Sequence, residues 1–73
     1  MSKVYWIGVA PEVCDLSSKH KITDEFVDGK VQQAGMWGNM CPACHVTYGI
    51  GCGTGRGQRY RKQANGRWLK VEG

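Results

Sequence analysis

The stretch Asn39-Met40-Cys41-Pro42-Ala43-Cys44-His45, "NMCPACH", decides how the rest of the chain is read. It contains a C-x-x-C-H string, which three chemistries use: covalent haem attachment, dithiol redox cycling and metal binding. Haem attachment takes place outside the cytoplasm and needs helices to wrap the ring. The N-terminus "MSKVYWIGVAPEV" reads as no export signal, because Glu12, Cys14 and Asp15 follow its short apolar run at once. A redox dithiol wants the two cysteines at a helix N-terminus within a βαβ scaffold. A chain of 73 residues rich in hairpin signals is too short for that scaffold. Zinc wants four tetrahedral ligands, commonly as two close pairs, and Cys41 with Cys44 makes one good pair.

The second pair is sought upstream. Cys14-Asp15-Leu16-Ser17 has the right spacing, but its fourth residue is Ser17, a poor ligand at neutral pH. His20 is the nearest substitute, giving Cys14-x5-His20 alongside Cys41-x2-Cys44. The expected metal set is therefore Cys14, Cys41, Cys44 and His20, with zinc as the ion; Cys52 and His45 are further candidates. The competing reading is a former zinc site whose thiols now pack as small hydrophobes.

Composition sets the scale around this motif. Residues 1–73 make one domain, with 41% hydrophobic residues including 3 Trp, 3 Tyr and 1 Phe. That supplies one small core, near the size at which a staple becomes useful. No run reaches the ~20 apolar residues of a membrane span. A cytoplasmic location is expected, where thiols stay reduced. Residues 1–29 carry three Lys against five acidic residues, whereas residues 30–73 carry seven basic residues against Glu72 alone. The basic half suits an acidic partner, either nucleic acid or an acidic protein surface.

The flanking segments read mostly as β structure. "KVYWIGVA" predicts a strand over residues 3–9, with Val4 and Trp6 on one face and Tyr5, Ile7 and Val9 on the other. Asp28-Gly29 predicts a two-residue hairpin turn between "DEFV" and "KVQQ", with Gly35 closing the unit. Residues 36–49 predict a short helix, capped by Asn39, started at Pro42 and ended by Gly49. Asn65-Gly66 predicts a second hairpin between residues 58–63 and 67–72, anchored by Tyr60 and Trp68. The fold class is thus α+β: a small single domain of β-hairpins plus one short helix, zinc-ribbon or treble-clef-like, with or without the metal.

"GCGTGRGQ" lacks the G-K-[ST] of a phosphate loop and the strand-then-helix context of a dinucleotide fingerprint. It reads as a tight structural turn packed against Trp37 or Trp68. The following "GRGQRYRKQANGRW" interleaves cations with rings, as single-stranded nucleic-acid binders do. On a strand, however, Arg59 and Arg61 share the face opposite Tyr60, which also describes a solvated face over a core. No catalytic constellation stands out, so an enzyme is not expected.

Taken together, "CD", "ITDEFVDGK", "MWGNMCPACH", "GIGCGTGRGQRY" and "NGRWLKVEG" resemble a family of small phage-encoded, zinc-ribbon-like transcription regulators. That pattern runs C-D-x-C, a D-G hairpin, W-x-x-M-C-x-x-C-H, G-x-G-x-G-x-G-Q-x-Y and a terminal D/N-G-R-W. The resemblance covers Cys14 to Gly73. It implies a host bacterial RNA polymerase as partner, contacted at the β′ N-terminal region and the β flap. It also implies inhibited initiation at host promoters through σ loss, and antitermination later. Ser17 departs from the pattern at the second Cys of the first pair, which puts metal binding in question. For the partner surface, the apolar side chains Val4, Tyr5, Trp6 and Ile7 and the basic Arg56, Arg59, Arg61 and Lys62 are the candidates. A nucleic-acid-binding module of zinc-ribbon type is the alternative, and no membrane partner is expected.

Overall fold

The computed structural model describes residues 3–33 and 35–73. In chain order the elements are β1 (Val13–Cys14), β2 (Ser17–Lys21), β3 (Glu25–Lys30), β4 (Trp37–Met40), α1 (Pro42–Tyr48), β5 (Gly57–Lys62) and β6 (Trp68–Glu72). β1 and β2 pair as a small antiparallel hairpin, and the other four strands form one sheet in the order β4-β3-β5-β6. This is a small α+β domain of two antiparallel sheets and one short helix, as the hairpin signals predict.

The core follows from alternation along β3, where Phe26 and Val27 are both fully buried on opposite faces. Phe26 stacks on Tyr60, its partner in β5, with centroids 5.3 Å apart and planes at 18°. Trp6 and Trp68 meet Phe26 at centroid distances of 5.2 and 5.1 Å with their planes steeply inclined. Such pairs add about 0.5–1.5 kcal/mol each to the burial of the rings themselves. Met40 is fully buried, and Cys14, Ile22, Cys41 and Cys44 extend the same cluster towards the helix.

The hairpin predicted at Asn65-Gly66 forms. Gly66 has φ +84°, its N–H donates to Gln63 O, and the Asn65 side chain accepts from Arg67 N at 2.9 Å. Tyr60 and Trp68 anchor it in the core as expected.

Three other expectations need correction. Asp28-Gly29 is not a turn but the middle of β3, and the chain reverses later, where Val31 N donates to Met36 O. Gly29 is needed for a different reason: it pairs with Gly38 on one side and Gly57 on the other. A Cβ there would lie 2.9 Å from Arg56 O and 3.3 Å from Gly57 Cα, so the strands approach too closely for any side chain. The D-G signal and the close-approach signal look alike in sequence.

The strand expected over residues 3–9 shrinks to a single bridge, Tyr5 to Leu69, flanked by Trp6 N to Trp68 O and Lys70 N to Val4 O bonds. Beyond Trp6 the chain leaves the sheet at Gly8, whose φ is +89°. The short helix expected within residues 36–49 forms as Pro42–Tyr48, starting at the proline and ending at Gly49, but Asn39 does not cap it. Residues 37–40 pair with β3 instead, so Asn39 is a strand residue and Cys41 takes the N-cap place. Among the described residues no helix is long and apolar enough to cross a membrane.

Candidate metal centre

Pro42 at the first helical position fixes the start of α1, and Cys41 precedes it with extended φ −67° and ψ 161°. The Cys41 carbonyl accepts from His45 N at 2.9 Å, so the first turn closes directly over the C-x-x-C. The three-residue helical spacing then brings the Cys41 and Cys44 side chains to one side. The β1–β2 turn, Cys14-Asp15-Leu16-Ser17, comes in from the opposite direction. It is held to β4 by Asp15 N to Asn39 O, 2.9 Å, and by Asn39 N to the Asp15 carboxylate, 2.8 Å.

Cys14, Cys41 and Cys44 meet there, with their sulfurs within 4.8 Å of one another and all three buried. They form a cluster able to hold a metal ion. His20, on β2, brings Nδ1 to 3.4 Å from Cys44 Sγ and 3.6 Å from Cys41 Sγ. Of the four residues named from spacing, Cys14, Cys41 and Cys44 thus converge as one group, and His20 approaches two of them but stays outside 4.8 Å of Cys14.

The local electrostatics suit a cation. Burial pushes the Cys44 thiol up to about 12, with the neighbouring Cys41 and Cys14 adding to the shift. Burial also opposes ionisation of Cys14. There the backbone N–H groups of Cys41, Leu16 and Ser17, together with the Cys44 side chain, outweigh it and lower the Cys14 value. One sulfur is thus prepared by amide donors to carry negative charge, while its neighbour resists a second one. A soft divalent cation resolves that conflict by stabilising several thiolates at once, and thiolate–imidazole sites select zinc-like ions. Amide N–H donors directed at a ligating sulfur are the usual outer support of such sites.

His45 and Cys52 lie outside this cluster. His45 is buried, donates from Nε2 to Gly51 O at 3.1 Å, and accepts on Nδ1 from Arg59 Nη2 at 3.4 Å. Cys52 lies 4.0 Å from the same guanidinium nitrogen. Burial and the nearby Glu72 raise its thiol, so it is not a primed nucleophile. The glycine loop accordingly packs around His45 and Arg59. A Cβ at Gly49 would collide with the His45 ring and one at Gly53 with the Arg56 guanidinium, neither of them the tryptophans expected.

The residues expected at a partner surface divide. Trp6 turns inward onto Phe26 and Tyr60. Tyr5 is half-buried beneath Arg67, whose guanidinium carbon sits 3.8 Å from the ring centre. Val4 is half exposed, and Ile7 and, beyond it, Val9 are each 93% exposed. Arg59 is held by Glu25 and Glu72, both at 2.8 Å, and Arg61 by Glu25 at 3.1 Å. Lys62 lies over the Trp68 ring at 6.0 Å, and Arg56 is exposed on the glycine loop. The sequence marks Val9 only as a strand residue and assigns Glu25 to no site. Glu25 matters only through the register that sets it opposite Arg61, and spacing carries no register. Comparison of the chain with protein-family models, with curated proteins and with solved structures finds no match in any of the three.

Proposed function

We propose that the protein is a phage transcription regulator that acts by binding, not by catalysis. It docks on host bacterial RNA polymerase at the β′ N-terminal region and the β flap, inhibits initiation at host promoters through σ loss, and promotes antitermination. In this reading the thiol cluster holds a structural zinc that keeps the β1–β2 hairpin on the sheet, and the molecule works in the cytoplasm of an infected bacterium. The sequence resemblance supplies the partner. The observation that carries the reading is the segment after Trp6: Ile7 and Val9 stand 93% exposed where the chain leaves the sheet, although the same segment anchors Trp6 in the core. Exposed aliphatic side chains on an anchored segment suit a protein surface better than a phosphate backbone.

The nucleic-acid alternative draws less support, because Arg59 and Arg61 are engaged by Glu25 and so are less free to neutralise phosphates. Affinity capture with the full chain from a bacterial lysate tests the proposal. Retention of the β and β′ subunits, reduced by Ile7→Asp, is expected. Recovery of nucleic acid with no polymerase subunit overturns it in favour of the alternative. Native mass spectrometry tests the zinc: one zinc adduct per chain is expected, and the apo mass alone removes the metal from the reading.

A further inference from the structure

We infer that His20, through Nδ1, is the fourth ligand of a Cys3His zinc site, and that the Ser17 side chain is not a ligand. The inference rests on the zinc reading above and goes beyond it in fixing the donor set. A tetrahedral ion with Zn–S near 2.3 Å and Zn–N near 2.0–2.1 Å requires ligand-to-ligand edges of about 3.5 Å for S···N and about 3.8 Å for S···S. The two S···N separations at His20 are 3.4 and 3.6 Å, on either side of that edge. The three sulfurs lie within 4.8 Å of one another, but His20 stays outside that distance of Cys14, so the third S···N edge closes only if the imidazole and the β1–β2 turn draw together by more than about 1 Å around the ion.

Position 17 has a different role. It pairs with Cys14 across the β1–β2 turn, so its backbone closes the turn while its side chain is left out of the donor set. The imidazole reaches from three residues further along β2 and supplies the corner that a cysteine at position 17 would have filled. Ligation through Nδ1 leaves the proton on Nε2. The site charge then falls to −1, against −2 for four thiolates on the same ion. The three sulfurs are buried and His20 is exposed, so solvent and competing chelators meet the site at its histidine corner.

The test uses the full chain, stripped of metal and reloaded with Zn²⁺ or Co²⁺. The wild type should show the intense visible bands of four-coordinate Co²⁺ bound by thiolates. His20→Ala should weaken zinc binding by at least about tenfold and change those bands, a loss no smaller than that of removing an outer-shell partner. Ser17→Ala should change neither. His20→Cys should restore tight binding and move the bands to those of a four-thiolate site. Nitrogen NMR of the cadmium-loaded wild type should show scalar coupling between the ion and His20 Nδ1, a readout that needs no variant. His20→Ala with wild-type affinity and spectrum, or Ser17→Ala with lost affinity, overturns the inference alone. Failure of the wild type to take up any metal overturns the zinc reading with it.

Discussion

Two parts of this small molecule are held together by different means. The four-stranded sheet closes over Phe26, Tyr60, Trp6 and Trp68, a contiguous aromatic core that the chain's own apolar area can stabilise. The β1–β2 hairpin buries only Cys14 among its own strand residues, with Ile22 buried just after it. β2 itself reads Ser-Ser-Lys-His-Lys and is almost entirely exposed. What fixes the hairpin is the Asp15–Asn39 pair of hydrogen bonds and the meeting of Cys14 and His20 with the helix thiols. The sheet is a hydrophobic object. The hairpin depends on polar hydrogen bonds and on the thiol–imidazole cluster, which hold a short strand of low β propensity in place there.

The strongest way to break the comparison is from the sheet side. Phe26→Ala empties the centre of the aromatic cluster and should cost about 3–5 kcal/mol, a large share of the stability of a domain this size. Urea unfolding followed by tryptophan fluorescence measures it. Metal saturation should not restore the loss, and a near-wild-type midpoint would mean that the core lies elsewhere.

The hairpin should respond to the opposite treatment. On the zinc reading, stripping the metal should speed amide exchange in β2 by at least about tenfold, or ~1.4 kcal/mol of local stability, while β3 and β5 keep their protection. Equal loss across both sheets would show that the metal supports the whole fold and not one corner of it.

The smallest effect concerns the charged outer rim of the sheet. Burial works against ionisation of Glu25, but hydrogen bonds and charge from Arg59 and Arg61 outweigh it and hold the carboxyl below its ordinary value of 4.5. A depressed carboxylate stabilises the fold above its unfolded pKa, and that contribution is lost as the pH falls through the folded value. About 1 kcal/mol should therefore disappear on acidification from about pH 6 to about pH 2. Thermal melts of the wild type against Glu25→Gln isolate the share: the variant should be less stable near neutrality and lose less on acidification.

How much of this was legible in the sequence depends on whether each signal was local. The N-G turn is local, because Gly66 needs its positive φ whatever surrounds it. The C-x-x-C pair is local too, and its upstream partners could be found because metal chemistry restricts the candidates to Cys and His. The Asp28-Gly29 misreading shows the limit. The glycine row across β4, β3 and β5 is set by inter-strand approach, a property of three segments together that no single segment reveals. β4 was hidden for a related reason: Gly38 and Asn39 are poor strand formers, and only pairing with β3 makes them extended. The N-terminal segment reads as a full strand because its residues favour one, yet it pairs only until Gly8 turns it away.

The C-x-x-C-H string acquires one more meaning from its last residue. His45 sends its ring away from the thiols and locks between the Gly51 carbonyl and the Arg59 guanidinium. The seven-residue helix is therefore a double-ended rivet: its cysteines grip the hairpin, and its histidine fastens the glycine loop to β5. If the cysteine end lets go, the histidine end still holds the helix to the sheet. On the zinc reading, metal loss should accordingly free the hairpin and leave the rivet in place.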